Sequence, residues 1–209
     1  MQTAVILFAV LVTLVVLKPV VRGILAFAFG RKIADRALAK IPDTIHLTAA
    51  GADAWTDPIG ARRLASELAK RGFEDAGTYR IPELRNMTVE LMQQPVERIL
   101  GVIYEHPDVG QWVELVTRYN DGGSYSVASN RETGLAPRPN HKTVHLPGAT
   151  PDMLHKRLIS GRPEAEAESF ELNELVPAFE TVYADSVAWR KAQGISKEEV
   201  VKVATRKAA

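Results

Sequence analysis

The chain has 209 residues, 46% of them hydrophobic and 24% charged, enough for one short apolar segment and one globular domain of ordinary size. It has no cysteine, which excludes disulfides and thiolate chemistry. The net charge of +1 is unevenly spread: residues 1–40 carry six Lys/Arg against Asp35 and stand at +5, leaving −4 for the remainder, a balance that excludes nucleic acid as a partner because phosphate binding needs clustered basic residues.

Residues 3–17 are uncharged and filled with Val, Ile, Leu, Phe and Ala. As helix they would cover about 22 Å, short of the roughly 30 Å hydrocarbon core. Apolar character resumes after Lys18-Pro19, however, and Lys18 and Arg22 can extend their charges to the interface. No Lys or Arg precedes the apolar run and no small-x-small cleavage site follows it, so the pattern predicts a retained transmembrane anchor over residues 1–30 rather than a cleaved signal. Residues 31–40 then form a basic juxtamembrane segment. The positive charges Lys18, Arg22, Arg31, Lys32 and Arg36 all lie on one side of the run. The positive-inside rule therefore places the N-terminus outside and the domain of residues 41–209 in the cytoplasm, with a periplasmic domain as the alternative. These five residues are the expected membrane-interface set.

The domain opens with a possible short strand at residues 45–48. Asp57-Pro58 then starts a helix, with Asp57 as cap, Ile59, Leu64 and Leu68 on one face and Gly72 as its terminator. Beyond it the period changes to two. Residues 78–84 read as a strand, and Met87, Val89 and Leu91 alternate with Thr88 and Glu90. Residues 96–104 are apolar at nearly every position and belong in the sheet centre. In residues 111–119, Val113, Leu115, Thr117 and Tyr119 share a face opposite Glu114 and Arg118. Asn120-Asp121-Gly122-Gly123 is a hairpin turn, and Tyr125 and Val127 return inward. Residues 142–146 are a candidate last strand. Helices resume at Thr150-Pro151 and again over residues 175–193, and Ser196 with Glu199 is a capping box for a final helix. The acidic run from Glu164 to Glu174 reads as a solvated surface. The expected fold is α+β: an N-terminal transmembrane helix followed by one domain in which helices pack an antiparallel meander of four to five strands.

Glycine-rich phosphate loops, GxSxG, HExxH and paired-cysteine motifs are absent from the sequence, and no cofactor is indicated. His141 and His145 are spaced to share a face and are the candidate metal ligands, with His155 or Glu105 as a third donor. Glu105-His106 is a second, weaker acid/base candidate. Trp112 lies on the polar register of its strand and is the candidate partner contact. The reading that follows is a single-pass membrane-anchored binding or accessory module, with the lipid membrane and a membrane protein complex at the cytoplasmic face as partners. A lipid or small-ligand carrier, with a pocket lined by Met87, Leu91, Ile103 and Val113, is one alternative. An enzyme with a His-metal site is the other.

Overall fold

A computed structural model describes residue 36 and residues 38–206. The described chain divides into two compact units, the larger made of Pro42–Glu132 and Pro137–Trp189. Its frame is a seven-stranded sheet in which spatial order equals chain order: β1 (Thr48–Ala50), β2 (Glu74–Ile81), β3 (Met87–Gln94), β4 (Ile99–His106), β5 (Gly110–Arg118), β6 (Ser124–Ala128) and β7 (His141–His145). The pairs from β1 to β6 are antiparallel, and β7 runs parallel to β6.

This arrangement corrects the expected four to five antiparallel strands. Two strands are hidden from sequence pattern by their composition. β1 is only Thr-Ala-Ala, and β2 begins at Glu74-Asp75-Ala76-Gly77, where a bulge between Asp75 and Gly77 breaks the alternation. The expected transmembrane helix is not met either: among the described residues no helix is long and apolar enough to cross a membrane. Residues 1–30, to which that span was assigned, lie outside the described residues, as do Lys18, Arg22, Arg31 and Lys32.

Each face of the sheet is packed separately. On the first face, Ile99, Ile103, Val113, Leu115, Tyr125 and Val127 lie under α1 (Pro58–Ala69) and α2 (Pro151–Gly161), which supply Ala61, Leu68, Leu154 and Leu158. Both helices begin as their sequences predict. Asp57 Oδ1 accepts the Gly60 N–H at 2.9 Å ahead of Pro58, and Thr150 caps α2 ahead of Pro151. Ile59 departs from the expected apolar stripe and stands 79% exposed. On the second face, Ile81, Val89, Leu91 and Val102 pack with Leu175, Phe179 and Tyr183 from α3 (Leu175–Gln193). The central position of β4 agrees with its unbroken apolar sequence, and β3 shares its burial on both faces.

The acidic run connects these layers instead of forming a free surface. Ala167 bridges Tyr119, the Glu168 N–H donates to the Arg118 carbonyl at 2.9 Å, and the Glu168 carboxylate pairs with Arg118 at 3.1 Å. Glu171 and Glu174 form a capping box ahead of α3.

In the smaller unit, α4 (Lys197–Arg206) opens with the predicted capping box: Ser196 N–H donates to Glu199 Oε2 at 2.8 Å and Glu199 N–H to Ser196 Oγ at 3.1 Å. Glu199 Oε1 also accepts from the Ala136 N–H and from Arg190 at 3.0 Å. Burial alone would raise this carboxyl, but the hydrogen bonds from Ser196, Ala136 and Arg190 outweigh it and hold it low.

Candidate functional site

β5 divides its side chains sharply. Val113, Leu115, Thr117 and Tyr119 are buried on the first face, whereas Trp112, Glu114, Val116 and Arg118 point to the second face and are only half-buried. The same parity continues outward. Tyr125 and Val127 join the first core, so Ser124, Ser126 and Ala128 take the second face. Val144 packs against the first core, which places His141, Thr143 and His145 on the second. β5, β6 and β7 thus present a polar band on one face of the sheet, beside the apolar patch covered by α3.

The band is knitted by short hydrogen bonds. Ser124 Oγ meets His141 Nδ1 at 2.8 Å, Ser126 Oγ donates to Thr143 Oγ1 at 2.8 Å, and His145 Nδ1 meets Asn130 Oδ1 at 2.8 Å. At its inner end Tyr104 stacks on Trp112 with ring centroids 4.7 Å apart, and its hydroxyl donates to Glu114 at 3.4 Å. Burial pushes the Glu114 carboxyl up, partly offset by hydrogen bonds from Ser126 and Tyr104 and by the nearby His145. Burial and the Glu114 charge push the Tyr104 phenol well up. His141 is pulled down by burial first and then by the positive charges of Arg138 and Arg118. At the outer end of the band, Arg118, Asn120, Glu168, Phe170 and Thr181 line an open cleft of about 450 Å³. Arg118 lies over the Phe170 ring at 5.7 Å.

The sequence-derived candidates are distributed as follows. His141 and His145 do share a face and are both half-buried, each with Nδ1 engaged by a polar side chain. The third donors proposed for them lie elsewhere. His155 sits on α2 with Nε2 2.6 Å from Glu97, and Glu105 anchors the start of α1 by accepting from the Thr56 and Asp57 N–H groups and from Gln111. Among the described residues no group of three His, Asp or Glu side chains could hold a metal ion. The His106 ring turns to its own hairpin, Nδ1 accepting from the Asp108 N–H at 3.1 Å. Trp112 is half-buried against Tyr104 instead of projecting freely. Arg36, at the edge of the described chain, is exposed.

Sequence reasoning missed Glu114, Ser126 and Thr143 as a connected set. The available signal was the run of small hydroxylated residues in β6 opposite a lone acidic residue in an otherwise apolar strand, which marks a polar face that is not fully solvated. Met87 and Leu91 belong to one core and Ile103 and Val113 to the other, so the sheet itself separates the four residues expected to line a carrier pocket. Comparison with protein-family models, curated proteins and solved structures gave no match.

Proposed function

We propose that this chain is a binding or accessory module that acts at the cytoplasmic face of a membrane, docking on a membrane protein complex. The observation that carries the reading is the asymmetry of β5: one row of its side chains is sealed in the core, and the opposite row, Trp112, Glu114, Val116 and Arg118, stays half-open. A central strand with a half-open aromatic and polar row supplies the mix of rigid aromatic area and hydrogen-bonding groups that protein interfaces use. The membrane placement rests on sequence, on the apolar run 3–17 and the basic residues from Lys18 to Arg36. The carrier reading keeps one support, the open cleft at Arg118, whose polar lining suits a small polar ligand better than an acyl chain.

Photo-cross-linking in intact cells tests the docking reading. A benzoylphenylalanine placed at Val116 is expected to form an adduct with a membrane protein. The same group at Ile59, 79% exposed on α1, is expected to form none. No adduct from position 116, or equal adducts from both, overturns the reading.

A further inference from the structure

The two edges of the sheet are built differently. The β1 edge is guarded: its strand has three residues, and the β2 strand behind it carries the bulge at Asp75/Gly77. The β7 edge has none of these devices. β7 is a flat run of five residues with no proline and no bulge, and it is the last strand of the sheet. In a parallel ladder alternate residues face the neighbouring strand. The Asn140 carbonyl accepts from the Ser124 N–H at 2.9 Å and the Leu146 N–H donates to the Ala128 carbonyl at 2.8 Å, so the even-numbered residues of β7 face β6. The backbone N–H and C=O groups of Thr143 and His145 therefore point outward, and Lys142 and Thr143 are exposed.

The surroundings of this edge have one sign of charge. From Thr133 to Pro151 there is no Asp or Glu, while Arg138, His141, Lys142 and His145 all fall in that stretch. A lysine on an edge strand disfavours pairing with an apolar or basic strand and admits an acidic one. We propose that β7 is a docking edge which takes up an extended, acidic segment of the partner protein as an eighth strand, main-chain hydrogen bonds to Thr143 and His145 holding it and Arg138 and Lys142 selecting its charge. The proposal rests on the docking reading above, for which it names the chemistry of the partner.

The test uses the purified full-length chain in mild detergent and synthetic nine-residue peptides, so it is independent of the cross-linking in cells. A peptide alternating valine and glutamate is expected to bind, measured by fluorescence anisotropy, and to slow amide hydrogen exchange in residues 141–145. Methylation of every second peptide nitrogen is expected to abolish binding, because it removes the ladder without changing charge. The valine–lysine peptide is expected not to bind. Arg138→Glu with Lys142→Glu is expected to weaken the acidic peptide at least tenfold while leaving the unfolding midpoint in place. Equal binding of the methylated or the lysine peptide overturns the proposal. So does protection appearing at residues 48–50 and 74–81 instead, or protection of residues 141–145 by phosphatidylglycerol vesicles and not by the peptide. A cross-link from position 116 combined with no peptide binding removes this edge assignment and leaves the docking reading standing.

Discussion

Glu105 and Gln111 face each other across the β4–β5 pair, and together they fasten the start of α1 to the sheet. Gln111 Nε2 donates to Glu105 Oε1 at 2.9 Å and to the Asp57 carbonyl at 2.7 Å, and Glu105 in turn accepts the Thr56 and Asp57 N–H groups. Glu105 is 7% exposed, so its removal strands two backbone donors and a side-chain amide in a nearly dry site.

Glu105→Ala is therefore expected to lower stability by about 2–3 kcal/mol, and Glu105→Gln, which keeps one acceptor, by less. Urea denaturation measures both. Burial would raise this carboxyl, but the hydrogen bonds from Thr56, Asp57 and Gln111 hold it below its usual value. Its contribution is thus complete above the unfolded carboxyl range and is lost as pH falls through the folded value. The wild-type minus Glu105→Ala difference should shrink below about pH 4; a difference that does not change with pH contradicts this account.

Glu90 titrates in the opposite sense. It sits on the first face between Thr78 and Ile103, and burial, with a smaller contribution from Asp75, raises its pKa to about 7. The folded state then binds a proton that the unfolded state releases, so stability falls as pH rises from the unfolded carboxyl value to about 7. Glu90→Gln should be close to neutral at pH 5 and stabilising at pH 8, by on the order of 1 kcal/mol once solvent screening of this partly exposed group is allowed for. Thermal unfolding at the two pH values checks it, and a stabilisation of the same size at both would remove Glu90 as the source.

At the β5–β6 hairpin, Gly122 has φ +81° and donates to the Tyr119 carbonyl at 2.9 Å, while open space surrounds the position of a Cβ. The cost of a side chain there is purely conformational. Gly122→Val should destabilise by about 1–2 kcal/mol. Gly123 has no positive φ, but a Cβ on it would meet the Asn140 carbonyl oxygen at 2.9 Å, so Gly123→Val should lose stability by pushing β7 away. Hydrogen exchange separates the two: only the second substitution is expected to speed exchange in β7.

Gly101 lies in the sheet centre, where a Cβ would come within 3.0 Å of the Phe73 ring. Phe73 rests against the strand because that residue has no side chain. Gly101→Ala should cost about 1–3 kcal/mol by overpacking. Adding Phe73→Leu to it should cost less than the sum of the single changes. Strict additivity in that double-mutant cycle would mean that the two sites do not touch.

Much of the sheet could be read from β4 and β5. The alternation of Val113, Leu115, Thr117 and Tyr119, the unbroken apolar run before them and the Asn-Asp-Gly-Gly turn all reflect local patterning that tertiary structure then kept. β3 was only half legible. Thr88 looks like a solvent-facing residue, yet it is 2% exposed because the Ala54 carbonyl accepts its hydroxyl at 3.0 Å, a contact set by chain far away in sequence. β7 was hard to place for a related reason. Its two histidines, lysine and threonine read as a polar loop, and their strand state depends on the parallel ladder to β6. The polar band was illegible as a unit because Glu114, Ser126 and Thr143 come together only through that register.

The coincidence of spatial and chain order in the sheet has a consequence for how the molecule is made. Each strand from β2 to β6 finds its partner directly beside it in sequence, so the meander can grow by successive short loop closures as the ribosome delivers the chain, the quick route in topological terms. The layer over the second face cannot. Its ties, the Leu47 N–H to Glu180 at 2.7 Å and the Tyr183 hydroxyl to the Pro42 carbonyl at 3.1 Å, join segments more than a hundred residues apart. A nascent chain that has not yet reached α3 therefore carries Ile81, Val89, Leu91 and Val102 on a formed but uncovered surface. Stalled or truncated synthesis in that interval would yield a sticky intermediate, one that holdase chaperones recognise and that proteases remove.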